Sequence, residues 1–198
     1  MAYIGMGGNI ASETGPPEAT LAAAVSRLEG LGRVVRKSRL YSTKPVGFAE
    51  QPRFVNAVVA LETGLAPHAL LNVLLSIEQE FGRDRTKSRV NGPRTLDLDI
   101  LLVDGLRIGE AGLEIPHPRL AERGFVLIPL NEIAPQQIVP GYNTTVDQLL
   151  GDLLEHSKGE TDAVVQIESE AWSAGGCVDA GQPVSGLRAE SCEPHTDR

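Results

Sequence analysis

Apolar residues recur at the spacing of an amphipathic helix in two segments of the chain, 17–29 and 67–81. Each segment begins at a proline and is followed by a glycine, and these residues favour the first turn and the end of a helix, respectively. Around them lie short apolar runs without helical spacing, which predict strands. The predicted strands cover 3–6, 34–43, 54–61 and 96–103.

The resulting order, β-α-β-β-α-β, predicts a ferredoxin-like α+β sandwich in which helices pack on one face of an antiparallel sheet. Beyond residue 103 the pattern weakens into a proline-rich loop, an apolar run at 125–130 and a short helix around 145–154. We expect residues 1–156 to form one domain.

The last part of the chain, residues 157–198, has a different character. It is rich in Gly, Ser, Glu and Ala, holds eight acidic and three basic residues, and has little periodicity. This composition predicts an acidic, disordered tail, which would include the single tryptophan, Trp172. We therefore expect truncation after residue 156 to leave activity and the thermal midpoint nearly unchanged.

Composition narrows the class of protein. The 198 residues are 41% apolar and 22% charged, and no apolar stretch reaches the ~18 residues of a membrane span. The start of the chain lacks the basic segment of a secretory signal, and both cysteines lie in the last quarter, so we expect a cytoplasmic protein. The net charge of −8 argues against a general nucleic-acid binder, and a monomer is the default expectation.

The most informative segment is Gly92-Pro93-Arg94-Thr95-Leu96-Asp97-Leu98-Asp99-Ile100. Alternate side chains of a strand share a face, so Asp97 and Asp99 project together while the apolar residues beside them enter the core. Two adjacent carboxylates repel unless a cation lies between them, and Mg²⁺ prefers one or two carboxylates together with phosphate oxygens and water. A lone D-x-D on a strand is more often a solvated edge, but here an arginine-rich loop precedes the pair.

That loop carries five basic residues and one acidic residue within 83–94. Guanidinium groups for phosphate and carboxylates for metal are the two components of phosphoryl-transfer electrostatics. Glycines flank the loop, which predicts a lid that brings Arg83 and Arg94 onto the phosphates of ATP. Surface arginines are, however, usually just solvated. His117 is a candidate donor to a phosphate oxygen, although a lone histidine is more often structural. Neither a Walker loop nor a dinucleotide fingerprint is present.

These motifs resemble the 6-hydroxymethyl-7,8-dihydropterin pyrophosphokinase family. Residues 92–100 look like that family's signature, and the resemblance extends from near the start of the chain to about residue 155. Further segments that agree are 3–9, 41–45, 51–57, 77–83 and 116–125. The resemblance implies an ATP-dependent transfer of pyrophosphate to the hydroxymethyl group of a reduced pterin in folate biosynthesis, with AMP as the second product and two Mg²⁺ ions bound.

The resemblance also implies roles for individual residues. Asp97 and Asp99 would hold both metal ions and would form the catalytic group together with Arg83 and Arg94. The implied ATP-binding residues are Arg85, Arg89, Arg94, Leu98, Ile100, His117 and Arg123, with Leu98 and Ile100 near the adenine. The implied pterin-binding residues are Thr43, Pro45, Val46, Phe54, Asn56 and Phe125, with the two phenylalanines enclosing the ring.

Two other functions compete with this interpretation. A two-metal phosphohydrolase would use Asp97 and Asp99 to activate water, but it would need more metal ligands than His117 alone supplies. A non-catalytic ferredoxin-like module would bind a metal or a small ligand, since fold does not fix function. Release of free phosphate from ATP without a pterin would favour the first, and unchanged turnover in Asp97→Ala would favour the second.

Overall fold

The computed structural model describes residues 1–45, 47, 50–83, 92–156 and 164–174. Its strands are β1 (Ala2–Gly8), β2 (Arg33–Lys37), β3 (Leu40–Thr43), β4 (Phe54–Glu62), β5 (Asp97–Val103), β6 (Ile108–Glu110), β7 (Leu113–Ile115), β8 (Ile138–Val139), β9 (Thr144–Thr145) and β10 (Val164–Ile167). Its α-helices are α1 (Pro17–Glu29), α2 (Pro67–Glu80), α3 (Gly124–Ile133), α4 (Val146–His156) and α5 (Glu170–Ala174), and a 3₁₀ turn covers Leu120–Glu122.

An antiparallel sheet in the order β10-β3-β4-β1-β5 forms the central layer, and β2 pairs with the far end of β4. With α1 and α2 as the crossovers, this arrangement confirms the predicted ferredoxin-like order. Strand β4 lies in the middle of the sheet and is buried at every position except the last. A strand covered on both faces reads as a continuous apolar run, which explains its poor alternation in the sequence.

The prediction of one strand over 34–43 is wrong, because two strands occupy this segment. They pair with different parts of β4, with Lys37 opposite Val59 and Tyr41 opposite Asn56. Between them Ser38 donates its backbone N–H to Val58 O at 2.9 Å and accepts the Val58 N–H on its hydroxyl at 2.9 Å. The Ser38 hydroxyl thus replaces the backbone carbonyl that would accept the Val58 N–H in a regular strand pair, at the position where β2 ends and β3 has not yet begun.

Helices cover both faces of the sheet, which corrects the prediction of one covered face. On the first face α1 and α2 bury Leu21, Leu74 and their neighbours against β1 and β5, whose residues on this face are Ala2, Ile4, Met6, Leu98 and Ile100. On the second face α3 and α4 bury Leu127, Leu150 and their neighbours against Tyr3 and Leu101. Helix α3 is buried at nine of its ten positions, and its first seven residues are all apolar, so it shows no helical period in the sequence.

The C-terminal prediction is wrong for residues 164–174. Strand β10 pairs with β3, with Val164 opposite Thr43, and α5 packs on α1. Trp172 is 6% exposed and donates from Nε1 to Ser38 O at 2.9 Å. These elements are too short to show periodicity, so their burial was not visible in the sequence. The remaining predicted tail, 157–163 and 175–198, lies outside the described residues.

A search of the described residues finds no helix with the length and apolar character needed to span a bilayer.

Candidate active site

A cavity of about 460 Å³ opens on the second face of the sheet, beside the part that α3 and α4 cover. Its walls come from β1, β3, β4 and β5, from the loop around His117, and from the N-terminal turn of α3. The predicted site residues that line it are Thr43, Pro45, Phe54, Asn56, Arg94, Asp97, Asp99, His117, Arg123 and Phe125. The fold therefore gathers residues from widely separated parts of the sequence around one space.

Both predicted metal-binding carboxylates face this cavity from β5. Across the sheet, Asp97 lies opposite Gly7 and Asp99 lies opposite Gly5. A Cβ at position 7 would lie only 3.0 Å from Asn56 Oδ1, so a larger residue there would press on a predicted pterin-binding side chain. Glycine at position 7 thus leaves room for Asn56. Because both carboxylates line the cavity, the expectation that Asp97 and Asp99 share a face is confirmed.

Asp99 has an unusual electrostatic environment. Burial, followed by the charges of Asp97 and Glu78, raises the pKa of Asp99 to about 6, while Arg123 and Arg83 oppose the shift. A cation beside these carboxylates would relieve the repulsion that raises this pKa. Two carboxylates with open space before them suit Mg²⁺, which takes its other ligands from phosphate and water. The residues present therefore fit the ion that the sequence implied.

Arg83 lies behind Asp97 rather than in the cavity. Its Nη1 contacts Asp97 Oδ1, donates to Glu78 Oε1 at 2.7 Å and donates to Leu96 O at 3.3 Å. The same Glu78 oxygen accepts the Leu98 N–H at 2.8 Å. Arg83 is 10% exposed and is not among the described residues that line the cavity. Its predicted contact with the phosphates stays a prediction.

Glu78 supports the candidate site and was not predicted from the sequence. Its residue exposure is 0%, and it links α2 to Arg83 and to the start of β5. The available signal was its place on α2, four residues after Leu74 and next to Ile77 on the buried stripe. A carboxylate on an apolar stripe needs a buried cationic or N–H partner, so its position could have predicted a partner such as Arg83.

Two arginines stand against aromatic rings at the cavity. The guanidinium carbon of Arg94 lies 4.9 Å from the ring centre of Phe54, and that of Arg123 lies 5.5 Å from the ring centre of Phe125. Arg94 Nη1 also lies 3.3 Å from Asp97 Oδ2, while its buried Nε has no hydrogen-bond partner among the described residues. Flat cations thus lie between the carboxylates and the predicted pterin-stacking rings.

His117 presents one ring nitrogen for a ligand. Its backbone N–H donates to Leu101 O at 2.8 Å, and its Nδ1 accepts the Arg119 N–H at 3.1 Å. Burial and the charges of Arg123 and Arg119 lower the pKa of His117. These effects favour the neutral form of the ring. With Nδ1 accepting, the proton of that form lies on Nε2, where it can be donated.

Asn56 fixes the polar side of the predicted pterin pocket. Its Nδ2 donates to Thr43 Oγ1 at 2.9 Å across the β3–β4 pair. This contact sets which end of the amide is oxygen and which is nitrogen, so the group can select among heterocycle edges. Three predicted site residues, Val46, Arg85 and Arg89, lie outside the described residues, as does most of the predicted lid.

Leu98 and Ile100 occupy different surroundings from those implied for adenine-binding side chains. They are 1% and 5% exposed and belong to the core beneath α2, on the opposite face of β5 from Asp97 and Asp99. Strand alternation requires this opposition. The correction is that their side chains do not line the cavity, so any contact with adenine would have to come from their backbone.

The fold and the cavity together define a class of protein. The cavity is lined by a carboxylate pair, by arginines and by a donating histidine, and also by two aromatic rings and a fixed amide. These groups are the ones expected in a phosphoryl-transfer enzyme with a heterocyclic substrate.

Comparison with known proteins identifies the family. The family model described as "7,8-dihydro-6-hydroxymethylpterin-pyrophosphokinase (HPPK)" matches residues 3–135, and the chain belongs to this family. The 2-amino-4-hydroxy-6-hydroxymethyldihydropteridine pyrophosphokinase of Methylorubrum extorquens is 44% identical over 77% of this chain and 92% of its own length. The enzyme of the same name from Bacillus subtilis is 40% identical over 85% of this chain and 98% of its own length.

Solved structures agree with the fold. The chain superposes on Plasmodium falciparum HPPK-DHPS with a TM-score of 0.64 at 15% identity, covering 85% of this chain and 44% of that one. This chain therefore spans less than half of that longer protein. At this identity the likeness concerns the fold alone, and it supports the ferredoxin-like assignment.

Proposed function

We propose that this protein transfers the terminal pyrophosphate of ATP to the hydroxymethyl group of 6-hydroxymethyl-7,8-dihydropterin in folate biosynthesis. The hydroxymethyl oxygen bonds to the β-phosphorus, the bond from that phosphorus to the α,β-bridging oxygen breaks, and AMP leaves with the bridging oxygen. The hydroxyl proton passes to solvent. One observation carries the proposal: the carboxylate pair and the heterocycle-binding residues share a single cavity.

Asp97 and Asp99 would hold two Mg²⁺ ions. The ions, when bound, supply charge stabilisation to the phosphates and lower the pKa of the attacking hydroxyl. Arg83 contacts both Asp97 and Glu78, and it therefore holds the Asp97 carboxylate in one orientation. We assign this holding role to Arg83 beside its predicted contact with phosphate.

Arg94, Arg123 and His117 would bind the triphosphate. Burial and the charge of Arg119 lower the pKa of Arg123, while Asp99 and Asp97 oppose that shift. Incoming phosphate brings negative charge to this cluster and offsets the mutual repulsion of the guanidinium groups. His117 would add a neutral donor at Nε2.

Phe54 and Phe125 would enclose the pterin ring, and Asn56 with Thr43 would bind its polar edge. Rings stacked on both faces exclude water, and a fixed amide provides direction at little entropic cost. Neither group needs to change protonation, so recognition and chemistry use separate residues of one cavity.

We propose further that the protein works as a monomer in the cytoplasm. The two cysteines, Cys177 and Cys192, are too few and too close to the end of the chain for a disulfide-stabilised core, which suits a reducing compartment. Light scattering during gel filtration would measure the molar mass in solution, and a dimer mass would overturn the monomer proposal.

The test incubates the full chain with ATP, Mg²⁺ and 6-hydroxymethyl-7,8-dihydropterin and follows phosphorus species by NMR. AMP and a pterin diphosphate ester should appear in equal amounts without ADP. Appearance of ADP would indicate an ordinary kinase, and free phosphate released without pterin would indicate a hydrolase. Absence of turnover under saturating substrates would favour the binding module.

A further inference from the structure

Asn9 joins two separate parts of the cavity wall. It follows the last residue of β1 and is 3% exposed. Its Nδ2 donates to Gln51 Oε1 and to Pro52 O, each at 3.0 Å. Its Oδ1 accepts the Arg94 N–H at 2.9 Å, and its own backbone N–H donates to Arg94 O at 2.9 Å. One buried side chain thus bonds to the loop before β4 and to the turn before β5.

Each of these two segments carries a residue of the candidate site. Pro52 stands two residues before Phe54, the predicted stacking ring, and the other segment contains Arg94, the predicted phosphate ligand. The two side chains meet in the cavity, with the Arg94 guanidinium 4.9 Å from the Phe54 ring centre. Asn9 therefore bonds the backbone on both sides of the junction between the pterin half and the phosphate half of the site.

The neighbouring residue shows how closely the same junction is packed. A Cβ on Gly8 would lie 2.4 Å from Thr95 O, a backbone atom that cannot move aside as a flexible side chain would. Only glycine fits this approach of β1 to the turn. The contact and the Asn9 hydrogen bonds hold the 94–95 backbone against the end of β1 from two directions.

We infer that Asn9 is a positioning residue that sets the distance and angle between Phe54 and Arg94, so that the bound pterin and the β-phosphate of ATP meet in reactive geometry. The inference rests on the proposed function. A purely structural asparagine would lower stability when replaced and would leave the kinetic constants unchanged. A positioning residue changes them, because small displacements of reacting groups reduce the rate strongly.

The first test compares steady-state kinetics of Asn9→Ala and Asn9→Asp in the full chain. Alanine removes the side-chain hydrogen bonds to both segments and keeps only the backbone bond to Arg94 O. The kcat/KM for the pterin should therefore fall about 10- to 100-fold, through both a lower kcat and a higher KM. Aspartate keeps the acceptor for the Arg94 N–H but cannot donate to Gln51 or Pro52. It should therefore raise the KM for the pterin and keep kcat within about threefold of the parent. Identical kinetic changes in the two variants would overturn the division of roles.

Thr63→Val is the matched control. Thr63 Oγ1 donates to Leu31 O at 2.7 Å and accepts the Leu65 N–H at 3.2 Å at the opposite end of β4, so its loss tests stability without touching the cavity. It should lower the thermal midpoint and leave both KM values and kcat unchanged. If Asn9→Ala lowers the midpoint as Thr63→Val does and has parental kinetics, the inference fails.

Gln51→Ala provides a test if the buried Asn9 variants do not fold. It removes one acceptor of Asn9 Nδ2 from a half-buried position and should raise the KM for the pterin, by less than Asn9→Asp does. An unchanged KM would overturn the inference. Because the unmodified protein is assayed alongside, absence of AMP formation there would count against the proposed function, whereas parental kinetics in the variants would count against Asn9 alone.

Discussion

Replacement of Trp172 by alanine tests whether residues 164–174 belong to the folded domain. The ring is 6% exposed, and its Nε1 donates to Ser38 O between β2 and β3. Lys37 Nζ lies 5.0 Å from the ring centre and donates to the Trp172 carbonyl at 2.6 Å. Truncating a buried tryptophan costs about 3–5 kcal/mol. Because α5 is a short helix of five residues and can adjust its position to reduce the cavity, the low end, about 3 kcal/mol, is the better expectation.

For a domain of this size, a loss of about 3 kcal/mol lowers the thermal midpoint by about 6–12 °C. Circular dichroism melts of the parent and of Trp172→Ala measure this shift directly. Tyr142→Ala is the control, because Tyr142 is 46% exposed and its loss should change the midpoint by no more than about 2 °C. A midpoint for Trp172→Ala within that same margin would refute the packing of α5 on the core.

The single tryptophan also gives an independent readout. Its emission should shift to longer wavelength on unfolding, at the same midpoint as the circular dichroism signal, because the ring is buried in the core. Emission that is already at long wavelength in the native protein would contradict the burial. The burial of Trp172 corrects the prediction from the sequence that this residue lies in a disordered tail.

Four further outcomes follow from the same contacts. Truncation after residue 156 should lower the midpoint at least as much as Trp172→Ala and raise the KM for the pterin, because Val164 lines the cavity; an unchanged midpoint and KM would contradict this. Asp97→Ala should reduce turnover at least several hundred-fold with the fold retained, as seen by steady-state rates and circular dichroism, and parental turnover would exclude the metal role. Asp99→Asn should stabilise the metal-free protein by about 3 kcal/mol at pH 8, because a carboxyl whose pKa is raised to about 6 in the folded state costs stability as the pH rises from about 4 to 6. The gain, measured by denaturant unfolding in EDTA, should vanish near pH 4, and a pH-independent difference would count against it. Glu78→Gln should lower the free energy of unfolding by about 3–5 kcal/mol in the same assay, because Arg83 loses a buried charged partner. An unchanged free energy of unfolding would show that Asp97 alone is a sufficient partner for Arg83.

The elements predictable from the sequence were those long enough to show a period. Helices α1 and α2 and the strand face that carries Asp97 and Asp99 follow from local spacing. The break at Ser38 was not predictable in this way, because it depends on a hydroxyl that bonds to a strand remote in sequence. Helix α3 was not predictable for another reason: a helix that is buried on nearly all sides has no polar face, and so its sequence lacks a helical period.

The candidate site shows the same division. The carboxylate pair and the basic residues were visible as a motif, whereas the supporting residues were not. Glu78 resembles any helical glutamate, and Asn9 resembles any residue of a turn, until β1, α2 and β5 are brought together. Their roles depend on partners at least five residues away and up to 85 residues away. Local spacing signals that Glu78 needs a buried partner, but it does not reveal the contact of Asn9 with Arg94.

The placement of charge explains why these supporting residues are needed. Asp97 contacts two arginines, of which Arg83 is shared with Glu78 and Arg94 also contacts Phe54. Burial, followed by the charges of Asp97 and Glu78, nevertheless raises the pKa of Asp99 despite the nearby cations. A site whose acids were fully neutralised by its own arginines would have little affinity for a divalent cation. In a site where no side chain held the carboxylates, mutual repulsion would turn them out of alignment. In this site Arg83 and Glu78 hold Asp97, while Asp99 faces the cavity with its charge only partly compensated, so both requirements are met. The two hydrophobic clusters that cover the sheet supply the stability that this arrangement costs.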